Sequence, residues 1–313
     1  MKKIVILGSS NTDLITKVKK FPAPGETIVG KEYMEAMGGK GANQAMAAHR
    51  LGANVQFITC MGGDENGKNA LAYYKKEGLD VSSSLIVNEV ASGTAIIMVD
   101  EHGENSIIIT PGANNKLDPT YLLSIENIIK EADILVLQME TPYETVKKAC
   151  ALAKKNQTQV ILNVAPAMPI DNAFLNNVDI LVVNETEAET LSGGKIENIG
   201  EEAVVNILLD KGVKAVVLTL GKNGCFYKNR EERMSLGAFE VDAVDTTAAG
   251  DTFCGALAAE IARGNSWENS LIFASAASAI CITKMGAQPS IPKEDEVRAF
   301  LSKNKLSIQN EIK

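Results

Sequence analysis

Apolar runs recur along the chain at Ile4–Leu7, Val55–Thr59, Ile134–Leu137, Val160–Leu162, Ile180–Val183 and Ala215–Leu218, each bounded by turn residues. Most are apolar at successive rather than alternate positions, which is the pattern of a strand covered on both faces. Between most of them apolar residues return every three or four positions, predicting amphipathic helices over Ala42–Leu51, Thr145–Lys155 and Glu201–Lys211. Buried strands alternating with helices predict an α/β fold built on an open, mostly parallel sheet. One stretch breaks the alternation. Thr94–Val99 and Ser106–Thr110 flank the turn Glu101–Asn105 with no helix between them, which predicts an antiparallel hairpin. Segment Thr16–Met37 carries Phe21, Pro22, Pro24 and Gly25 and is equally poor in helix signal. The two segments, about 14–37 and 92–110, are expected to form a small separate sheet: a lid, a subunit contact or a plain insertion. From Leu257 onward the density of alanine, with Ala274, Ala276, Ala277 and Ala279 in one run, predicts closely packed helices. Neither a linker nor an internal repeat divides the chain, so residues 1–313 are expected to form a single domain.

Composition narrows the function. A formal net charge of −8 gives no overall positive field for holding a nucleic acid, although a local pocket could still bind a small anion. Cys60, Cys150, Cys225, Cys254 and Cys281 are scattered without paired spacing and read as buried, reduced thiols. The apolar run at the N-terminus is too short for a signal peptide and no later segment is long enough to span a bilayer, so a cytoplasmic protein with no membrane partner is expected. Of the two histidines, His49 falls on a predicted helix and His102 in the hairpin turn, which argues against a histidine-based triad.

Five stretches carry candidate chemistry. Gly8 closes the first strand, but Ser10 and Asp13 stand where a dinucleotide-binding loop needs glycine, which disfavours an NAD-dependent dehydrogenase. Asn11 and Asp13 then lie just past a strand end, where they can bond sugar hydroxyls or simply make a turn. Gly38–Gln44 opens the first strong helix. Met34 and Gly41 exclude a P-loop there, yet three glycines would let a ligand approach the backbone, and the Asn43 amide could both donate to and accept from a polyol. Asn184 and Glu187 would share one helix face at the sheet's C-terminal edge, suited to hydrated Mg²⁺ or merely to the helix dipole. Thr219–Gly224 is a turn that could line an adenine or phosphate pocket, or be a plain hairpin. In Val244–Gly255, small residues at a helix entrance expose N–H groups to an anion, with Asp251 beside them as a cap or as a base for an attacking hydroxyl.

Taken together, Asn11-Thr12-Asp13, Pro24–Thr27, Gly39–Asn43, Glu140 after a strand, Asn184–Glu189, Thr219–Gly224, Asp245–Asp251 and Gly286–Ser290 resemble, in order and over nearly the whole chain, the motifs of ribokinase-like (PfkB) carbohydrate kinases. The resemblance implies a Rossmann-like sheet with a β lid and ATP-dependent phosphorylation of D-ribose at O5. By it, Asp251 is the general base and the N–H groups of Ala248, Ala249 and Gly250 form an anion hole. Asn11, Thr12, Asp13, Gly39, Lys40, Gly41, Ala42, Asn43 and Glu140 would line the sugar site. Asn184, Glu187, Thr219, Leu220, Gly221, Lys222, Asn223, Gly224, Gly250 and Ser275 would border ATP, with Glu187 holding Mg²⁺ indirectly. A K⁺ ion would sit among Asp245, Thr247, Cys281, Lys284, Gly286 and Ser290, and lids would pair into a homodimer. Ala248 stands where many members have glycine, which points toward ribose. Deoxyribose, another pentose, fructose or a nucleoside such as adenosine are the alternative substrates, and a non-catalytic sugar sensor is the alternative class.

Overall fold

A computed structural model describes residues 2–305 and 308–312. The main sheet has nine strands: β1 (Lys3–Leu7), β4 (Asn54–Ile58), β9 (Ile134–Leu137), β10 (Gln159–Asn163), β11 (Ile180–Asn184), β12 (Ala215–Thr219), β13 (Cys225–Asn229), β14 (Glu232–Leu236) and β15 (Ile308–Ile312). Their spatial order is β15-β14-β13-β12-β11-β10-β9-β1-β4, parallel from β4 to β12 and antiparallel beyond. The predicted strands all appear within a residue of their expected limits. Alternate side chains of one strand enter opposite cores: Ile134 and Val136 pack on one face, Leu135 and Leu137 on the other. Helices α1 (Lys40–Arg50), α6 (Ala249–Arg263) and α7 (Trp267–Cys281) cover the first face. Helices α3 (Tyr143–Lys155), α4 (Glu185–Ser192) and α5 (Glu201–Asp210) cover the second, and α2 (Glu65–Lys76) packs at the β4 edge.

The lid is a separate four-stranded sheet in the order β3-β2-β7-β8, made of β2 (Asn11–Lys17), β3 (Glu32–Gly38), β7 (Gly93–Val99) and β8 (Asn105–Thr110). The predicted hairpin is β7–β8. The sheet begins earlier than expected, because Asn11 already pairs with Gly38 on one side and Gly93 on the other. Asn11 and Asp13 therefore sit on a lid strand rather than in a turn, and alternation aims both at the face that Ile15 shares. Short strands β5 (Cys60–Gly62) and β6 (Leu85–Val87) pair with each other nearby.

Candidate active site

Within the main sheet the next strand after β1 is its neighbour β4, while β9 returns on β1's other side, so the sheet reverses its direction of growth between β1 and β9. A crevice opens beyond the strand ends at such a point. Ser9, just past β1, donates through Oγ to Glu140 Oε2, just past β9, at 2.5 Å. The same oxygen accepts the Lys40 backbone N–H at 3.0 Å, tying the first turn of α1 to the crevice floor. Gly38, at the end of β3, has no side chain for a physical reason: a Cβ there would lie 2.1 Å from Asp13 Oδ2.

The crevice concentrates carboxylates around one ammonium. Burial, followed by the charges of Glu140 and Asp251, pushes the Asp13 carboxyl up to about 7, and Lys40 offsets only part of this. Burial works to lower the Lys40 ammonium, but Asp251, Glu140, Glu187 and Asp13 outweigh it and hold the group above its ordinary value. Glu187 is raised by burial, with Asp251 adding to the effect and both its bond to the Asn184 backbone and Lys40 opposing it. The predicted sharing of a face by Asn184 and Glu187 takes the form of a capping box. Asn184 Oδ1 accepts the Glu187 N–H and Glu187 Oε2 accepts the Asn184 N–H, both at 2.9 Å.

Asp251 is the third residue of α6 and is nearly buried, at 7% exposure. It is no helix cap. Its carboxylate is held by another helix, with Asn43 Nδ2 donating to Oδ2 at 2.9 Å and Gln44 Nε2 donating to Oδ1 at 3.1 Å. The two helices come close enough because α6 has glycine at 255, where a Cβ would lie 2.5 Å from the Gln44 carbonyl oxygen. Asn43 Oδ1 is buried and makes no hydrogen bond, leaving an acceptor for a ligand hydroxyl. The N-cap of α6 is Ala248, in the left-handed region at φ 61°, and no side chain caps the helix. A non-glycine residue there is strained by roughly 1 kcal/mol or more, a cost that the surrounding contacts must offset. Of the expected anion-hole donors, Ala249 N–H already bonds Thr246 O at 3.2 Å, which leaves Ala248 and Gly250 open, and the space beside Gly250 is clear.

Beyond this helix end lies a cleft of about 850 Å³. It brings together Asn184, Thr219, Gly221, Lys222, Gly224, Gly250 and Ser275 of the expected nucleotide residues. Leu220, Asn223 and Glu187 are not on its wall: Leu220 turns into the core, and Glu187 is buried with its carboxylate bonded to the Asn184 N–H. The segment Ala238–Val241, with Phe253 and Ile282, also lines the cleft and carries no motif in the sequence; apart from Glu240 these residues are apolar. An apolar slot ending at an uncapped helix N-terminus suits a planar base attached to phosphates.

The expected cation residues also converge. Asp245 Oδ1 accepts the Thr247 N–H at 2.9 Å and the Thr247 hydroxyl at 2.6 Å, while Oδ2 accepts the Gly286 N–H at 2.9 Å. Cys281 Sγ faces the Thr247 carbonyl at 3.7 Å and Ser290 Oγ at 2.9 Å. Lys284 directs its ammonium away to Glu296, so only its backbone can face this cluster. No group of three His, Cys, Asp or Glu side chains arranged to hold a metal occurs among the described residues.

Two positioning residues carried no sequence signal of their own. Gln44 closes the glycine-rich stretch, and Asn114 follows the lid. Asn114 Oδ1 accepts the Ser10 N–H at 2.9 Å and its Nδ2 donates to Asn11 Oδ1 at 2.8 Å, which turns the Asn11 amide nitrogen toward the crevice as a donor.

The sequence model of the pfkB family of carbohydrate kinases matches residues 1–294. A ribokinase of Haemophilus influenzae is 42% identical over 303 residues, covering 96% of this chain and 98% of that protein. Among solved structures, a ribokinase of Thermotoga maritima aligns with a TM-score of 0.88 at 40% identity, over 96% of this chain and 100% of the other. Ribokinase of Arabidopsis thaliana, complexed with ribose and ATP, aligns with a TM-score of 0.89 at 34% identity, over 96% and 98%.

Proposed function

The chain belongs to the pfkB family of carbohydrate kinases, and on that footing we infer that it transfers the γ-phosphoryl group of ATP to O5 of D-ribose, giving D-ribose 5-phosphate and ADP. One observation carries the mechanism: Asp251 is buried, accepts two amide N–H groups from α1, and lies at the uncapped N-terminus of α6 beside the cleft. In our reading Asn11, Asp13, Gly39, Lys40, Asn43 and Glu140 hold the sugar, with Thr12, Gly41 and Ala42 backing them. Asp251 accepts the O5 proton as the oxygen attacks in line. The N–H groups of Ala248 and Gly250 meet the charge that develops on the phosphoryl oxygens, and Ala249 joins them by releasing Thr246.

Metal ions fit the donors at hand. Glu187, fixed by Asn184, suits the water shell of a Mg²⁺ whose main ligands are nucleotide phosphates, and the ion would neutralise charge between them. The Asp245 carboxylate, the Ser290 hydroxyl and the carbonyls of Thr247, Cys281, Lys284 and Gly286 are hard oxygen donors of the kind K⁺ takes, next to the turn that sets Ala248. The lid's outer face exposes Tyr33, Ile96 and Ile108, which supports pairing of lids in a homodimer. Five free, buried cysteines support a reducing compartment such as the cytoplasm, and no helix among the described residues is long and apolar enough to cross a membrane.

The test is sugar-dependent ADP release from Mg²⁺ATP across ribose, deoxyribose, fructose and adenosine, each with and without K⁺. Turnover strongest on ribose and raised by K⁺ is the expected result. Turnover strongest on another member reassigns the substrate, and an absence of turnover on all four overturns the kinase reading.

A further inference from the structure

The mechanism above uses Asp251 but leaves unexplained why its carboxylate is held by a glutamine. Gln44 is fully buried on α1. Its Oε1 accepts Gln138 Nε2 at 2.7 Å, and its Nε2 donates both to Asp251 Oδ1 and to Asn163 Oδ1, each at 3.1 Å. Asn163 is itself fixed, because its Nδ2 donates to the Val182 carbonyl at 3.1 Å, leaving only its oxygen to face Gln44. Rotating the Gln44 amide by half a turn would set oxygen against the oxygens of Asp251 and Asn163, and nitrogen against nitrogen at Gln138. Its orientation is therefore set by Asp251 and Asn163, and Gln138, whose own Oε1 makes no hydrogen bond, completes the lock by turning its nitrogen to Gln44 Oε1. The lock is built from the C-terminal ends of two adjacent central strands, since Gln138 directly follows β9 and Asn163 ends β10.

We propose that Gln44, oriented by Gln138 and Asn163, is the positioning residue of the base: it fixes Asp251 Oδ1 so that the remaining lone pairs of the carboxylate meet the attacking hydroxyl. The proposal rests on the reading of Asp251 as the base. Charged groups reach Asp251 from several elements. Asp13 from the lid and Glu187 from α4 repel its charge, Lys40 from α1 attracts it, and the thiols of Cys254 on α6 and Cys281 on α7 lie close by. Glu140 joins the cluster through its action on Asp13 and Lys40. Asn43 donates to the other oxygen but is also expected to serve the sugar, so Gln44 is the donor with no second task in the crevice.

The test is single-turnover transfer to ribose at saturating sugar and Mg²⁺ATP, followed across pH in Gln44→Leu, Gln44→Glu, Gln138→Leu and Asp251→Asn, with folding checked by circular dichroism. Gln44→Leu is expected to slow transfer on the order of 10- to 100-fold and to move the acid limb of the rate upward, with ribose affinity little changed. Gln138→Leu should move the same limb in the same direction by less, because Gln44 then keeps its donor and loses only its lock. Gln44→Glu, nearly the same in shape, places a second carboxyl against Asp251 and should move the limb furthest. If the Leu variants do not fold, the Glu variant decides alone. An acid limb that stays in place in every folded variant overturns the proposal while leaving the base intact. Near-normal transfer by Asp251→Asn overturns the base reading, and the proposal with it.

Discussion

The main sheet and the lid are both made of β-strands, but they hold their residues in different ways. Strands β1, β9, β10 and β11 are buried on both faces between two large apolar clusters. The lid's own core is Ile15, Ala36, Ala95 and Ile97, with Val99 packed at its margin, and its strand β8 leaves Ile107, Ile108 and Ile109 exposed. The chemistry divides along the same line. The proposed base Asp251, with the Asn43 and Gln44 amides that hold it, sits on helices packed against the main sheet. The groups proposed to read hydroxyls, Asn11 and Asp13, sit on a strand of the thinner sheet. On the proposed roles, charge placement falls to the element with the most buried area and substrate capture to the sheet with the smaller core.

The largest expected effect falls on the body. Asp251→Asn keeps the size of the side chain and removes its ability to accept the O5 proton. We expect transfer to fall roughly 10²- to 10⁴-fold, measured by single-turnover ADP formation, with a far smaller change in ribose affinity. If affinity instead collapses while the rate from bound complex persists, Asp251 belongs with the hydroxyl-reading groups and the division just described is wrong.

A smaller effect separates the two sheets energetically. Leu135 in β9 is fully buried, and Leu135→Ala is expected to lower global stability by about 2–5 kcal/mol, read from denaturant unfolding. Ile97 in the lid is nearly as well covered at 6% exposure, yet few side chains surround it. Ile97→Ala should shift the global midpoint less, while speeding hydrogen exchange at amides of β2 and β7. Equal shifts in the two variants would mean that lid and body unfold as one cooperative unit.

What could be read from the chain follows the same contrast. The strands covered on both faces announce themselves, because runs such as Ile134–Leu137 are apolar at every position. Strands β13 and β14 at the antiparallel edge did not, since Lys228, Glu232, Arg233 and Ser235 interrupt them and their pairing supplies what their composition lacks. The lid hairpin was legible from its turn, whereas the start of β2 at Asn11 was not, being set by pairing with Gly38 and Gly93. In the site, Asp251 stood out through the small residues around it. Gln44 and Asn114 could not: each acts through a partner distant in sequence, 207 residues away at Asp251 and 103 residues away at Asn11. Local patterning carries no trace of such pairs.

The smallest effect, and the one that most sharpens the comparison, concerns Asp13 on the lid. Burial and then the charges of Glu140 and Asp251 lift its carboxyl to about 7 in the folded protein, against an ordinary value near 3.8. A raised folded-state value means that the native state binds the proton more tightly than the unfolded chain. The associated stability is therefore fully present below about pH 4 and is lost as pH rises toward 7. Between pH 5 and 7 the ligand-free protein should lose about 2 kcal/mol from this group, and Asp13→Asn should flatten that slope. Sugar binding should respond in the opposite sense. Hydroxyls donating to Asp13 favour the carboxylate, so ribose must displace the proton below pH 7, and its affinity should fall toward tenfold per pH unit there. Calorimetric titration of ribose in two buffers of different ionisation enthalpy would show this as proton release in the native protein and not in Asp13→Asn. A proton count that is the same in both proteins would place the ionisation on the body, at Glu187, and leave the lid electrically passive.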